Sequence, residues 1–207
     1  MANKKGINWD FISAREGGAQ LQGYLPMEGE NVVGKSGLTV ATGFDVGQMS
    51  EEELMRSPLS DEIKAKLSPY VGKKGQDALA LTNEMGVPNI TPDQSSMIDA
   101  YSHKRTLDSL KSNYNKSSGK NFDDLSSEQQ TVVASVGFQY GSNLESATPG
   151  FWKQVTTDDW DGAHSNLRDF KDKYPTRRNL EADLIKPIED KIVDGLAEEK
   201  TIGSYVK

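Results

Sequence analysis

The sequence contains no cysteine and only two histidines. Without cysteine the chain forms no disulfide bond, so its fold does not depend on an oxidising compartment. Zinc and other transition metals are bound mainly through cysteine and histidine, so we expect no such site, although carboxylates alone could bind calcium. We therefore predict that the protein binds no transition metal.

Long hydrophobic segments are also missing. The longest apolar stretch, Val132 to Phe138, includes a serine and a glycine and falls short of the roughly 18 residues that span a bilayer. The basic start of the chain, residues 1–5, is not followed by an apolar stretch. We therefore predict no membrane insertion and no signal peptide.

Positive charge is scarce: 24 basic side chains stand against 31 acidic ones, giving a net charge of −7. Binding to nucleic acid depends on clustered lysine and arginine, and this chain has only isolated basic doublets. We therefore exclude nucleic acid as a partner.

The patterns that are present predict a mainly helical α+β protein. Between residues 20 and 47, six glycines separate short β-branched segments, which is typical of a small antiparallel sheet with tight turns. Capping patterns predict helices elsewhere. The expected helices start after Asn8, Ser50, Thr91 (to about Tyr114) and Ser126, lie near 149–155 and 158–170, and end with one from about Thr176 to Leu196.

One segment, Gly29-Glu-Asn-Val-Val-Gly34-Lys35-Ser36, matches the signature of a phosphate-binding loop. Such a loop needs a helix that begins at the lysine and directs its N–H groups at the phosphates. Here Gly37 and strand-like residues follow, and Glu28 and Glu30 would repel a triphosphate. We interpret the segment as a glycine-rich hairpin.

Three residues are candidates for hydrolytic chemistry. Glu16 ends the first predicted helix, where its side chain can face a cleft, and a partly desolvated carboxyl has the raised pKa that a general acid needs. Asp45 lies in a glycine turn, where aspartates commonly bond to the backbone, and Thr39 is an ordinary strand residue. From residue types alone, catalytic and purely structural roles both remain open.

The order of motifs around these residues is more specific. A predicted helix ends in Arg15-Glu16-Gly17, a hairpin follows, and then comes the run Ser36-Gly-Leu-Thr39-Val-Ala-Thr-Gly43-Phe-Asp45-Val-Gly-Gln48. The threonine and the aspartate follow the glutamate by 23 and 29 residues. This arrangement resembles the catalytic segment of pesticin-like lysozymes, the bacteriocin and effector relatives of phage lysozymes. It departs from ordinary phage lysozymes, whose aspartate comes soon after the glutamate and precedes the threonine.

Later segments extend the resemblance. The stretch 125–141, with Phe138-Gln139-Tyr-Gly141, looks like the buried helix of phage lysozymes, which carries a Phe-Gln-x-Gly segment at the cleft. Residues 160–170 and 175–181 are similar to the next two family segments, and Arg177 matches the arginine that lies beside the catalytic glutamate in that family. Residues from about 50 to 90 and the end of the chain have no counterpart.

The resemblance implies a single lysozyme-like domain over residues 1–207 with two lobes. A small sheet lobe (about 18–48) and a larger helical lobe (about 92–207) would enclose a cleft for glycan. It also implies N-acetylmuramidase activity on peptidoglycan, with catalysis by Glu16, Asp45 and Thr39 and without a metal or other cofactor. The implied substrate-binding residues are Arg177, Gln139, Phe44 and Gln48.

The family further implies an antibacterial toxin that acts in the periplasm of a target bacterium and is inhibited by an immunity protein. A phage endolysin, a non-catalytic peptidoglycan-binding module and a hydrolase of chitin or chitosan remain as alternatives. Two features oppose the favoured interpretation. Many enzymes that lyse cell walls are basic, and a cation such as Arg177 near a carboxyl lowers its pKa.

The implied roles predict hydrolysis with inversion at the anomeric carbon. If Asp45 activates a water, its carboxyl group should stand about 6.5–9.5 Å from that of Glu16, whereas a nucleophilic aspartate would stand about 5–5.5 Å away. NMR of the first products from a β-linked glycan should therefore show the α-anomer. Early β-anomer, or a glycosyl-enzyme trapped on Asp45, would contradict this role.

Overall fold

A computed structural model describes residues 6–15 and 17–186 of the chain. The helices are α1 (Trp9–Ser13), α2 (Glu51–Arg56), α3 (Asp61–Leu67), α4 (Gly75–Met85), α5 (Pro92–Ser118), α6 (Ser127–Tyr140), α7 (Leu144–Ala147), α8 (Pro149–Thr156), α9 (Trp160–Arg168) and α10 (Pro175–Leu184). The strands are β1 (Gln20–Tyr24), β2 (Met27–Glu28), β3 (Asn31–Val32), β4 (Thr39–Ala41) and β5 (Phe44–Asp45).

The chain divides into two compact units. We call residues 16–105 the sheet unit, and residues 1–15 together with 106–207 the helical unit. The division falls inside α5, so this helix contributes residues to both units.

The sheet unit contains a three-stranded antiparallel sheet with the strand order β1-β4-β5. All three residues of the central strand β4 are buried, which suits its β-branched sequence. The loop that follows β4 is fastened to α5. Asp99 accepts hydrogen bonds from the backbone N–H of Thr42 at 3.0 Å and from its hydroxyl at 2.9 Å.

The segment that matched the phosphate-loop signature forms a hairpin, as predicted. Strands β2 and β3 pair across Gly29, whose positive φ of 61° is readily adopted by glycine. A turn, and not a helix, includes Lys35.

One hydrophobic core joins the sheet to the helices between residues 51 and 105. Helix α2 begins at the predicted start after Ser50, and there Ser50 and Glu53 exchange the two hydrogen bonds of a capping box. The buried members of this core are Leu38, Val40, Ala41, Phe44, Val46, Met49, Leu54, Leu59, Ile63, Leu67, Tyr70, Val71, Ile90 and Ile98. Residues 50–90, which had no counterpart in the resemblance, are therefore part of the same packed unit.

Helix α6 lies at the centre of the helical unit. Every residue from Gln130 to Gly137 is buried, and the helix begins at the predicted capping box of Ser126 and Gln129. A Cβ atom at Gly137 would stand 2.7 Å from a methyl group of Leu110. Glycine therefore allows α5 to approach α6 closely. The buried apolar residues of this unit are Leu110, Tyr114, Phe122, Val132, Val133, Val136, Leu144, Phe151, Trp152, Val155, Ala163, Leu167, Ala182 and Ile185.

The short helix α1 is anchored on α6. The Asn8 side chain caps α1 by accepting from Phe11 N at 3.0 Å, and its backbone N–H donates to the Thr131 hydroxyl at 2.8 Å. The ring centroids of Trp9 and Phe138 lie 5.7 Å apart. These contacts hold the segment that leads to Glu16, the third residue after α1.

Three predicted helix ends differ from the structure. Helix α1 ends at Ser13, ahead of the expected end at Glu16. Helix α5 continues past the expected end at Tyr114 to Ser118, and Gly119 follows it with a φ of 69°. Helix α10 ends at Leu184. The predicted continuation to Leu196 lies beyond Lys186 and so outside the described residues. Within residues 6–15 and 17–186, no helix is long and apolar enough to cross a membrane.

We predict that the Asp99→Ala substitution destabilises the sheet unit. It removes the acceptor of both Thr42 hydrogen bonds and leaves a partly buried N–H without a partner, which costs about 1–3 kcal/mol of unfolding free energy. Thermal unfolding should show a Tm lowered by about 2–4 °C for each kcal/mol. Thr42→Ser, which keeps both donors, is the matched control. Equal Tm values for the two variants would contradict this anchoring role.

Candidate active site

Asp45 is held by hydrogen bonds from three residues. Its Oδ1 accepts from the backbone N–H of Gly37 at 3.1 Å and of Gly47 at 2.9 Å. Its Oδ2 accepts from Gly37 N at 3.2 Å and from the side-chain amide of Gln48 at 3.1 Å. The carboxylate also caps the short 3-10 turn Val46–Gln48. These bonds fix both oxygens in one orientation.

This arrangement requires glycine at positions 37 and 47, because a larger residue at either would collide with neighbouring backbone. A Cβ atom on Gly37 would stand 2.5 Å from the carbonyl oxygen of Lys73 and 2.6 Å from Gly47 Cα. A Cβ atom on Gly47 would meet the same carbonyl at a still shorter distance. Since backbone atoms cannot yield as the end of a side chain can, only glycine fits at either position. The Lys73 segment is held in turn by a hydrogen bond from Gly75 N to Ser36 O at 2.9 Å.

Thr39 is directly opposite Asp45 in the pairing of β4 with β5. Residues opposite each other in an antiparallel pair point to the same face of the sheet. The Thr39 hydroxyl donates to the carbonyl oxygen of Gly37 at 3.2 Å, and Thr39 is 4% exposed. Gly37 therefore links the two candidate residues, through its carbonyl group to Thr39 and through its N–H group to Asp45.

The other two candidates in the sheet unit have different surroundings. Gln48 is exposed, and its amide nitrogen donates to Lys35 O at 2.9 Å as well as to Asp45, so it orients the carboxylate. Phe44 is 6% exposed and packs edge-on against Tyr101 at 6.0 Å. That packing accounts for the position of its ring, and a contact of either residue with substrate stays a prediction.

Glu16 lies outside the described residues, so its proposed role remains a prediction. Its neighbour Arg15 belongs to the helical unit. The Arg15 guanidinium lies 3.5 Å from the centre of the Phe11 ring and donates to the carbonyl oxygen of Phe11. The chain is thus well anchored up to the residue that precedes Glu16.

Arg177 forms the centre of a polar network in the helical unit. It donates to Glu181 at 3.1 Å, to the carbonyl oxygen of Ser135 at 2.9 Å and to the Ser135 hydroxyl at 3.0 Å. It also lies 3.5 Å from the carbonyl oxygen of Arg15. The Glu181 side chain is fully buried and that of Arg177 is 14% exposed, so Glu181 compensates the charge of Arg177 away from water.

Gln139 is held by a second arginine. Its side-chain oxygen accepts from Arg178, which also donates to Glu181 and, at 2.8 Å, to Asp172. Burial by itself would raise the pKa of the Asp172 carboxyl, but hydrogen bonds from Arg178, from the Tyr174 backbone and from Tyr140 outweigh it and lower that pKa. Asp172 therefore stabilises the fold above its ordinary pKa, and this contribution is lost as the pH falls through the lowered value.

The sequence analysis missed four residues that organise these clusters: Gly37, Gly47, Ser135 and Glu181. The two glycines lie within the quoted run of motifs, but nothing in their spacing shows that they meet beneath Lys73. Glu181 follows Arg177 by one helical turn, a spacing that favours ion pairs, but it does not show that the pair is buried. The described residues include no group of three or more histidine, aspartate or glutamate side chains that could hold a metal ion.

Comparison with known families agrees with the fold and with the motifs of the sheet unit. A family model described as Pesticin, a bacterial toxin homologue of phage lysozyme (C-terminal part), matches residues 6–161. Because this is more than half of the 207 residues, the chain belongs to the pesticin family. A search of curated proteins found no match.

This membership confirms the predicted fold class, an α+β, mainly α, lysozyme-like fold. It also supports assignment to the glycoside hydrolases in general. The matched range contains Glu16, Thr39 and Asp45, and it includes residues 50–90, for which the sequence showed no resemblance. Arg177 lies beyond it, so its alignment with the family arginine remains a prediction.

We predict that Gly47→Ala lowers the activity on purified peptidoglycan by about 10²-fold, because a misplacement of about 1 Å can have that effect. The added methyl group would collide with the Lys73 carbonyl and displace the turn that orients Asp45. Circular dichroism should show that the fold is retained. Gly150→Ala in α8 is the control, since its Cβ would meet only the Asn166 side-chain amide, at 3.2 Å. Near-wild-type activity of a folded Gly47→Ala variant would contradict the proposed importance of this turn.

Proposed function

We propose that this protein is an N-acetylmuramidase that hydrolyses the β-1,4 bond between N-acetylmuramic acid and N-acetylglucosamine in peptidoglycan. The observation that carries the proposal is the pairing of Asp45 with Thr39 through Gly37, within a chain of the pesticin family. A carboxylate and a hydroxyl on one face of a strand pair are suited to orient a single water molecule.

In the proposed reaction Glu16 is the general acid and Asp45 the general base. Glu16 donates its proton to the glycosidic oxygen as the bond between that oxygen and the anomeric carbon breaks. Water attacks the anomeric carbon from the opposite face and transfers a proton to Asp45. Solvent then returns a proton to Glu16 and removes one from Asp45, which restores both groups.

Thr39 has a positioning role in this proposal. Its hydroxyl hydrogen is directed to the Gly37 carbonyl, so its oxygen is left as an acceptor for an O–H group of the attacking water. Asp45 accepts the other hydrogen of that water. The bonds from Gly37, Gly47 and Gln48 keep the carboxylate from rotating during the transfer.

The family resemblance implies that Arg177 lies near the acid, and its charge would then affect the pKa of Glu16. A cation near a carboxyl lowers its pKa, whereas a general acid needs a raised one. Glu181 pairs with Arg177 at 3.1 Å and offsets part of its positive charge. The proposal therefore assigns Arg177 to the anchoring of the Arg15 carbonyl and to contact with the glycan, and not to a full ion pair with the acid.

The biological setting is part of the proposal. A bacterial toxin related to phage lysozyme would act on peptidoglycan in the periplasm of a target bacterium, and its producer would need an immunity protein. A phage endolysin with the same activity is the alternative. A delivered toxin and a phage endolysin would cleave the same glycosidic bond with the same residues.

We predict that Glu16→Gln lowers turnover of purified peptidoglycan by about 10²–10⁴-fold, the usual contribution of general-acid catalysis. Its Tm should stay within a few degrees of wild type, because a catalytic carboxyl contributes little to packing. Mass spectrometry of wild-type digests should show muropeptides that end in reducing N-acetylmuramic acid. Glu28→Gln, a change of an exposed glutamate in β2, is the control and should retain activity.

Two outcomes would overturn the proposal. If Glu16→Gln retains more than about a tenth of the wild-type activity, Glu16 is not the acid. If the wild type binds glycan strands but releases no sugar, the chain is a peptidoglycan-binding module. Reducing N-acetylglucosamine ends would instead identify a glucosaminidase.

A further inference from the structure

The helical unit contains a pocket that the proposed reaction does not use. It lies where the end of α5, the start of α6 and the start of α9 meet. Its volume is about 680 Å³, within the range of sites that take small ligands. In the part of the chain that the structure describes, its lining includes none of the residues with a proposed catalytic or glycan-binding role. A ligand bound here would therefore contact a separate set of side chains.

One part of the lining is apolar. Tyr114 is fully buried, and Leu125 and Trp160 are partly buried against the same hydrophobic core. All three line the pocket. An indole ring supported by a core is a rigid surface on which the nonpolar face of a ligand can pack.

Two amide side chains in the lining are oriented by the backbone. The side-chain oxygen of Asn121 accepts from Asp123 N at 3.1 Å, and that of Gln129 accepts from Ser126 N at 3.0 Å. Each amide therefore has its NH₂ group left for other partners. Among residues 6–15 and 17–186, neither NH₂ group donates to a protein atom. The pocket thus offers two hydrogen-bond donors with fixed orientations.

The charges in the lining favour a neutral ligand. Lys120 forms an ion pair with Asp158, which connects the loop after α5 to the turn before α9. Asp124 also lines the pocket, and within the described ranges its carboxylate has no partner. Two carboxylates disfavour an anion, while the two NH₂ groups and the Lys120 ammonium disfavour a cation. A suitable ligand has an O–H group for Asp124 and an acceptor for the amides.

A saccharide that carries N-acetyl groups has this chemistry. Its ring has a nonpolar C–H face for Trp160, and its hydroxyl groups can donate to Asp124. The carbonyl oxygen of an acetamido group can only accept, which suits the donors of Asn121 and Gln129. We propose that this pocket is a second, non-catalytic binding site for an N-acetylated saccharide. That the saccharide belongs to the glycan of peptidoglycan rests on the proposed function.

The binding test is an NMR titration of the full chain with tri-N-acetylchitotriose, a β-1,4-linked oligomer of N-acetylglucosamine. The Glu16→Gln background prevents hydrolysis of the probe. We expect the indole N–H signal of Trp160 and the side-chain amide signals of Asn121 and Gln129 to shift with one common dissociation constant. The backbone N–H signal of Gly47 reports separately on the candidate active site.

Two substitutions remove a donor and preserve the local fold. Gln129→Glu keeps the acceptor for Ser126 N, because glutamate also completes a capping box. Asn121→Asp likewise keeps its backbone contact. In the same background each should weaken the binding seen at Trp160 by about two- to tenfold, the effect of one lost hydrogen bond. Asn143→Asp, the same chemical change at the cap of α7 and outside this lining, is the matched control and should leave binding unchanged.

Three outcomes would overturn the pocket assignment while leaving the muramidase intact. The first is a Trp160 signal that does not move in a protein whose wild type cleaves peptidoglycan. The second is unchanged affinity in both Gln129→Glu and Asn121→Asp. The third is equally tight binding of cellotriose, which lacks acetamido groups. Conversely, binding at Trp160 by a chain whose wild type releases no sugar would support the pocket and overturn the proposed function.

Discussion

The candidate site depends on the close approach of two backbone segments beneath a carbonyl group. Gly37 and Gly47 meet under Lys73 O, where no Cβ atom fits. This approach brings two backbone N–H groups to Asp45 and directs one carbonyl group to Thr39. Backbone donors and acceptors have little freedom to rearrange, so the orientation of both candidate side chains follows from the path of the chain. The start of α4 supports that path through the bond from Gly75 to Ser36.

The helical unit depends on a different constraint, the pairing of charged side chains that are buried. Glu181 is fully enclosed and is shared by two arginines. Removing one partner of a buried ion pair leaves an uncompensated charge, which is far more costly than the loss of an exposed pair. For Arg178, burial alone would lower the pKa, but Glu181 and Asp172 outweigh it and raise that pKa. The network therefore keeps Arg177 in one place beside the Arg15 carbonyl.

Much of the local structure could be predicted because it depends on neighbours in the chain. The capping boxes at Ser50 and Ser126 determine helix starts within a few residues, and the structure contains both. The glycine-rich hairpin could be distinguished from a phosphate-binding loop because strand-like residues follow Lys35. The end of α5 was predicted too early, because the last turn is held by contacts with residues that follow it: the Asn115 side chain accepts from the N–H of buried Phe122 at 2.7 Å, and Gly119 N donates to Asn115 O at 3.0 Å.

The sequence by itself determined the fold class, the starts of the four helices with predicted caps (α1, α2, α5 and α6) and the identity of Glu16, Thr39 and Asp45 as candidates, because the order and spacing of motifs along the chain carry that information. The tertiary structure alone decided that Gly37 joins Thr39 to Asp45 and that Glu181 is buried. It also decided that Asn121 and Trp160 line one pocket. Each of these relations involves residues that are far apart in the chain. Gly37 approaches the Lys73 carbonyl, for example, and Arg177 lies beside the Arg15 carbonyl. Steric fit and desolvation act on such pairs only after the chain has folded.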